Sequence, residues 1–105
     1  LSKLALTNPY PGDIMWEELK KRIQRKIIGS KVEVIDCDKG LKELYNADLY
    51  SNSYLILISW VHKGVTYGFR QIIRKEIHDQ MPADVLLNYL TADIDRQIDN
   101  IIRGS

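Results

Sequence analysis

The chain has 105 residues, enough to bury one core without disulfide staples and too few for two domains of ordinary size. Fifteen basic residues against fourteen acidic ones leave a formal net charge of +1, less lopsided than a dedicated nucleic-acid binder carries. Apolar residues make up 45% and charged ones 28%, which excludes a disordered chain, and the single cysteine, Cys37, excludes an internal disulfide and fits a reducing cytoplasm.

Residues 1–12 carry Asn8, Pro9 and Pro11 and read as an irregular lead-in, with Leu4, Leu6 and Tyr10 free to pack on the body. They lack the charged-then-apolar layout of a secretory leader. Residues 13–104 read as a single α+β domain. Asp13 is placed to accept from the orphan amides of a first helical turn. Glu17 and Glu18 follow where the helix dipole favours negative charge. Trp16, Leu19, Ile23 and Ile27 recur at three- and four-residue spacing and predict a helix over 13–28, with Gly29 to end it.

Lys31–Cys37 is a short β-prone run, with Val32 and Val34 on one face and Ile35 on the other, and Asp38-Lys39-Gly40 breaks it. Leu41–Tyr50 predicts about two helical turns followed by a loop. The stretch from Ser53 to Ile77 dominates the chain. Its two β-prone runs, split by Lys63-Gly64, predict a central hairpin over 53–77. The first run is apolar on both faces: Tyr54, Ile56, Ile58 and Trp60 on one, Leu55, Leu57 and Val61 on the other. Such a strand is expected in the middle of its sheet and covered on both sides.

Lysine suits a two-residue turn poorly, because that turn needs positive φ twice, so a three-residue connection with Gly64 left-handed is expected. In the second strand Val65, Tyr67, Phe69 and Ile73 share one face. Thr66, Gly68, Arg70, Ile72 and Arg74 share the other, a wet and cationic one. Asp79–Pro82 reads as a turn. Leu86 or Leu87, Leu90, Ile94, Ile98 and Ile101 then form the stripe of a long last helix that Gly104 closes. Two amphipathic helices need an apolar sheet face to cover. The expected fold is therefore a small two-layer α+β domain, a three-stranded antiparallel sheet beneath N- and C-terminal helices in the order α-β-(α)-β-β-α. That order is similar to the double-stranded-RNA-binding domain, a family with a basic cluster at the start of its last helix. Here that place holds Pro82-Ala83-Asp84-Val85, so no function is carried over.

Catalytic signals are weak. Cys37 with His78 offers a nucleophile and a base, but no glycine-rich elbow follows the cysteine and no third orienting group is evident. Cys37, Asp38, His78 and Asp79 fall at one end of an antiparallel meander, yet they show no zinc-type spacing, and no cofactor or metal is expected. The reading that remains is a non-catalytic module that binds another macromolecule: an adaptor, an inhibitor or an assembly subunit, a size and style that also suit a phage or mobile-element protein. Another protein is the expected partner, through Tyr45, Tyr50, Arg70 and Arg74, with an edge strand open to a partner's strand. A second copy is the other protein to weigh, since Leu87, Ile94 and Ile101 recur at seven. The alternative is nucleic acid, bound by Lys20, Lys21 and Arg25 of the first helix with Arg70 and Arg74. No apolar run approaches the ~20 residues of a membrane span, so no membrane partner is expected and the location is read as cytoplasmic.

Overall fold

The computed structural model describes residues 12–40 and 50–104, with side chains for 14–39 and 50–104. Along the chain these form α1 (Gly12–Lys26), β1 (Lys31–Asp36), α2 (Cys37–Gly40), β2 (Ser53–His62), β3 (Val65–Arg74), α3 (Lys75–Gln80) and α4 (Ala83–Arg103). The strands make one antiparallel sheet in the order β1-β2-β3. The domain is a small two-layer α+β fold with the expected order of elements. The lead-in before Gly12 and most of the expected turns over 41–50 lie outside the described residues.

β2 is central because its side chains can be buried on the helical face along their whole length. Tyr54, Ile56, Ile58 and Trp60 stand on that face, in register with Ile73, Gln71, Phe69 and Tyr67 of β3. From β1, Val34 and Val32 stand opposite Ile56 and Ile58. Directly opposed residues of an antiparallel pair share a face, so this register puts all of them beneath the helices.

Onto this floor α1 lays Met15, Trp16, Leu19 and Ile23, and α4 lays Leu86, Leu87, Leu90, Ile94 and Ile98. Burying each Leu or Ile is worth about 1.5–3 kcal/mol, several times any difference in helix propensity, so the stripes decide where the helices lie. Arg22 donates to the Asn88 side chain at 2.8 Å and Lys26 meets Asp99 at 3.1 Å, so the two helices run the same way. Gln97 reaches down to Gln71 at 2.8 Å and ties α4 to β3. Gly29 takes φ +87°, the left-handed conformation that lets the chain leave α1 and turn into β1.

Four expectations need correction. The hairpin connection is a two-residue turn: His62 pairs with Val65, and both Lys63 (φ 51°) and Gly64 (φ 79°) are left-handed. Pairing of the flanking strands holds Lys63 where its own preference would not. Next, β3 stops at Arg74, not at Ile77. Arg74 pairs with Ser53, where β2 begins, and Lys75 donates its amide to Asn52 at 2.9 Å before entering α3. α3 thus takes Asp79 and Gln80, the first half of what reads as a turn. Third, β1 ends at Asp36, whose carboxylate accepts the Asp38 amide at 3.1 Å, so Cys37 opens α2. Last, the second face of β2 is covered only at one end among the described residues. Leu55 is buried with Cys37 and Tyr50, while Val61 at the other end is 66% exposed.

Candidate functional site

The uncovered face of the sheet carries the residues that most resemble a site. From β3 it presents Thr66, Gly68, Arg70, Ile72 and Arg74, all exposed. β2 adds Leu57, Ser59 and Val61 beside them, by the register that puts each opposite an even-numbered β3 residue. Ile72 is 40% exposed. Gly68 has no side chain, so a shallow groove of about 360 Å³ opens over it, lined by Lys31, Glu33, Leu57, Ser59 and Arg70 among others.

The same register makes β3 a donor–acceptor edge. In a two-residue hairpin the flanking pair exchanges both backbone hydrogen bonds, and bonded pairs then alternate. Val65, Tyr67, Phe69, Gln71 and Ile73 therefore bond to β2. The amides and carbonyls of Thr66, Gly68, Arg70, Ile72 and Arg74 point outward, where no described strand meets them. Backbone bonding and the cationic side chains thus belong to the same residues.

Tyr50 and Arg70 do come together, though not as two exposed anchors. Tyr50 is 5% exposed, packed with Cys37 and Leu55, and the Arg70 guanidinium lies over its ring at 6.0 Å. The tyrosine is a floor that steadies the arginine. Arg74 pairs with Glu76 at 3.0 Å in an open, readily exchanged contact. Tyr45 lies outside the described residues.

The basic run of α1 is mostly engaged within the molecule. Lys20 pairs with Glu17 at 3.2 Å, Arg25 with Glu18 at 3.0 Å, and Arg22 with the same Glu18 at 3.3 Å. Lys21 has no ion pair among the described residues. α1 packs on the helical face, whereas Arg70 and Arg74 stand on the opposite one. Lys20, Lys21 and Arg25 therefore cannot join the hairpin arginines in one flat patch.

At the far end of the sheet lies a knot that the sequence reading did not single out. The Lys75 ammonium sits 2.8 Å from Asp36 and 2.7 Å from Asp38, and 5.4 Å from the Tyr54 ring centre. Asp38 also accepts the Asn52 amide at 3.0 Å. The hydrogen bonds to Asp36 and Asp38 hold the Lys75 pKa well above the ordinary lysine value. One ammonium so ties the end of β1 to the end of β3 across the start of β2. The Asp-x-Asp spacing was visible in the sequence; its partner, thirty-seven residues away, was not.

Cys37 and His78 do not meet. Cys37 is buried on the uncovered side with Leu55, while His78 stacks on Trp16 at 5.4 Å on the helical side. Burial pushes the Cys37 thiol pKa up, and Asp36 and Asp38 push it further, so the thiolate a nucleophile needs is disfavoured. Among the described residues no group of metal-ligating side chains is arranged to hold an ion. Trp16, Tyr54 and His78 wall a cleft of about 440 Å³ between α1 and the sheet end, with Glu17, Lys20, Asp36 and Lys39 at its rim. Its rings pack against one another at 4.9–5.4 Å, so they form one wall of the cleft.

No family model, no curated protein and no solved structure matches the chain. No described helix is long and apolar enough to cross a membrane.

Proposed function

We propose that this domain is a protein-binding module whose docking surface is the uncovered face of the sheet together with the free edge of β3. One observation carries the reading: outward backbone groups, the exposed side chain of Ile72 and two arginines coincide on alternate residues from Thr66 to Arg74, with exposed Val61 of β2 beside Thr66. Among the described residues the apolar stripes of α1 and α4 are spent on the core. Catalysis has no support in the Cys37 and His78 environments. Nucleic-acid binding through Lys20, Lys21, Arg25, Arg70 and Arg74 would have to divide its contacts between opposite faces. It would announce itself by affinity that falls steeply with salt.

The test is selection from a random-peptide display library against the folded domain, followed by binding to single variants. Peptides that use the proposed surface lose affinity at least about tenfold with Val61→Lys and with Ile72→Lys. They are unaffected by Tyr89→Lys, which alters an exposed residue of α4. Binders sensitive to Tyr89→Lys and indifferent to both sheet variants would overturn the reading.

A further inference from the structure

We infer that the occupant of the β3 edge is an extended acidic segment added antiparallel to β3. It places a carboxylate opposite Arg70 and another opposite Arg74, a small apolar residue opposite Ile72, and a large apolar one opposite Gly68. The inference rests on the sheet-edge reading above and names its partner.

The pattern follows from register and charge. A strand added antiparallel must bond through Thr66, Gly68, Arg70, Ile72 and Arg74, since only these direct backbone groups outward. Its directly opposed side chains then share the uncovered face with theirs. β3 carries two arginines and no carboxylate over its ten residues. The strand itself thus offers no opposite charge to Arg70, and a partner carboxylate at Arg74 exchanges with the exposed Glu76 contact. The groove over Gly68 accepts a large side chain leaning across Leu57 and Ser59, which covers backbone that glycine leaves bare. Read along the partner, the segment is acid-x-apolar-x-acid-x-large apolar.

The same arginines argue against a second copy of this strand. Two-fold antiparallel pairings centred on Phe69, Arg70 or Gln71 give the greatest overlap. Each sets Arg70 directly opposite or diagonal to its own copy, within reach of like-charge repulsion. Charges on an open edge are a common guard against self-pairing. Here they block the copy and select the acidic segment.

The probe is a synthetic peptide carrying Glu-Thr-Val-Thr-Glu-Thr-Phe with neutral flanks, compared with the peptide in which lysine replaces both glutamates. Backbone amide exchange is followed by NMR on the full chain. The outward amides of Gly68, Arg70 and Ile72 exchange fast in the free protein and slow markedly with the glutamate peptide, not with the lysine one. The double variant Arg70→Glu, Arg74→Glu weakens the glutamate peptide about tenfold and gains the lysine peptide. Ile72→Pro deletes one outward amide, is tolerated at an edge, and abolishes protection. Equal binding of the two peptides, or protection that ignores the charge reversal, overturns the acidic-segment assignment. If display-selected peptides still depend on Val61 and Ile72 in that case, the sheet-face reading stands without it. If they do not, both fall.

Discussion

The turn between β2 and β3 yields the sharpest prediction, because the structure departs there from what lysine prefers. Lys63 sits at φ 51° and Gly64 at φ 79°. For an L-residue with a Cβ, left-handed backbone costs roughly 1–2 kcal/mol, and asparagine tolerates it much better. Lys63→Asn should therefore gain about 0.5–1 kcal/mol. Unfolding entropy near 2.1 cal/mol/K per residue makes 1 kcal/mol worth about 4–5 °C in a chain of this length. The expected rise in Tm is about 2–5 °C, read by circular dichroism at 222 nm.

Gly64→Ala is the matching probe. A Cβ built at Gly64 meets nothing within 4 Å, so any cost is backbone strain alone. A fall of about 4–5 °C is expected, since alanine's smaller unfolded-state entropy offsets part of the strain. If Gly64→Ala destabilises while Lys63→Asn does nothing, only Gly64 is left-handed. The connection is then a three-residue bulge, and β3 turns a different set of amides outward.

Three further outcomes are expected. Asp95 has a buried Oδ1 without a partner among the described residues, and burial raises its carboxyl pKa, with Lys26 lowering it and Asp99 raising it. A raised folded pKa means stability is greatest below the ordinary aspartate value and falls as pH rises through the raised one. Asp95→Asn should gain about 1 kcal/mol at pH 7 and flatten that slope in urea titrations; a loss at pH 7 would contradict it. The Lys75 contribution also lies above its unfolded value, so it is fully present at neutral pH and decays as pH climbs past the ordinary lysine range. Lys75→Met should lower the urea midpoint at pH 7 and weaken the alkaline slope, and an unchanged midpoint would remove the knot from the stability argument. Cys37, 4% exposed, should react with a disulfide reagent only slowly until urea unfolds the chain, and Cys37→Ala should cost on the order of 1 kcal/mol. Reaction at the rate of a free thiol would contradict the burial.

Much of the fold was legible because it depends on periodicity. Trp16, Leu19 and Ile23, then Leu90, Ile94 and Ile98, recur at helical spacing, and a stripe of that kind has to face a core. Ile56, Ile58 and Trp60 alternate with Leu55 and Leu57, which placed β2 between its neighbours. The candidate site was legible only in part. Arg70 and Arg74 could be assigned to the wet face of β3 by alternation alone. Tyr50 could not be placed, since whether a loop tyrosine is an anchor or a floor depends on what stands beside it. Here that is Arg70, twenty residues on.

The amino-acid sequence by itself determined the fold class, the order of the main elements and the chemistry of the free β3 edge. Those are local properties, set by side-chain spacing and backbone preference within a few residues. Tertiary structure alone decided that α1's basic run and the hairpin arginines lie on opposite faces, and that Cys37 and His78 are separated by the sheet. It also decided that Asp36 and Asp38 are spent on Lys75, that β3 ends where β2 begins, and that Lys63 is held left-handed. Each of these is an arrangement between elements. Its energy exists only once the sheet has closed, so no local preference could have announced it.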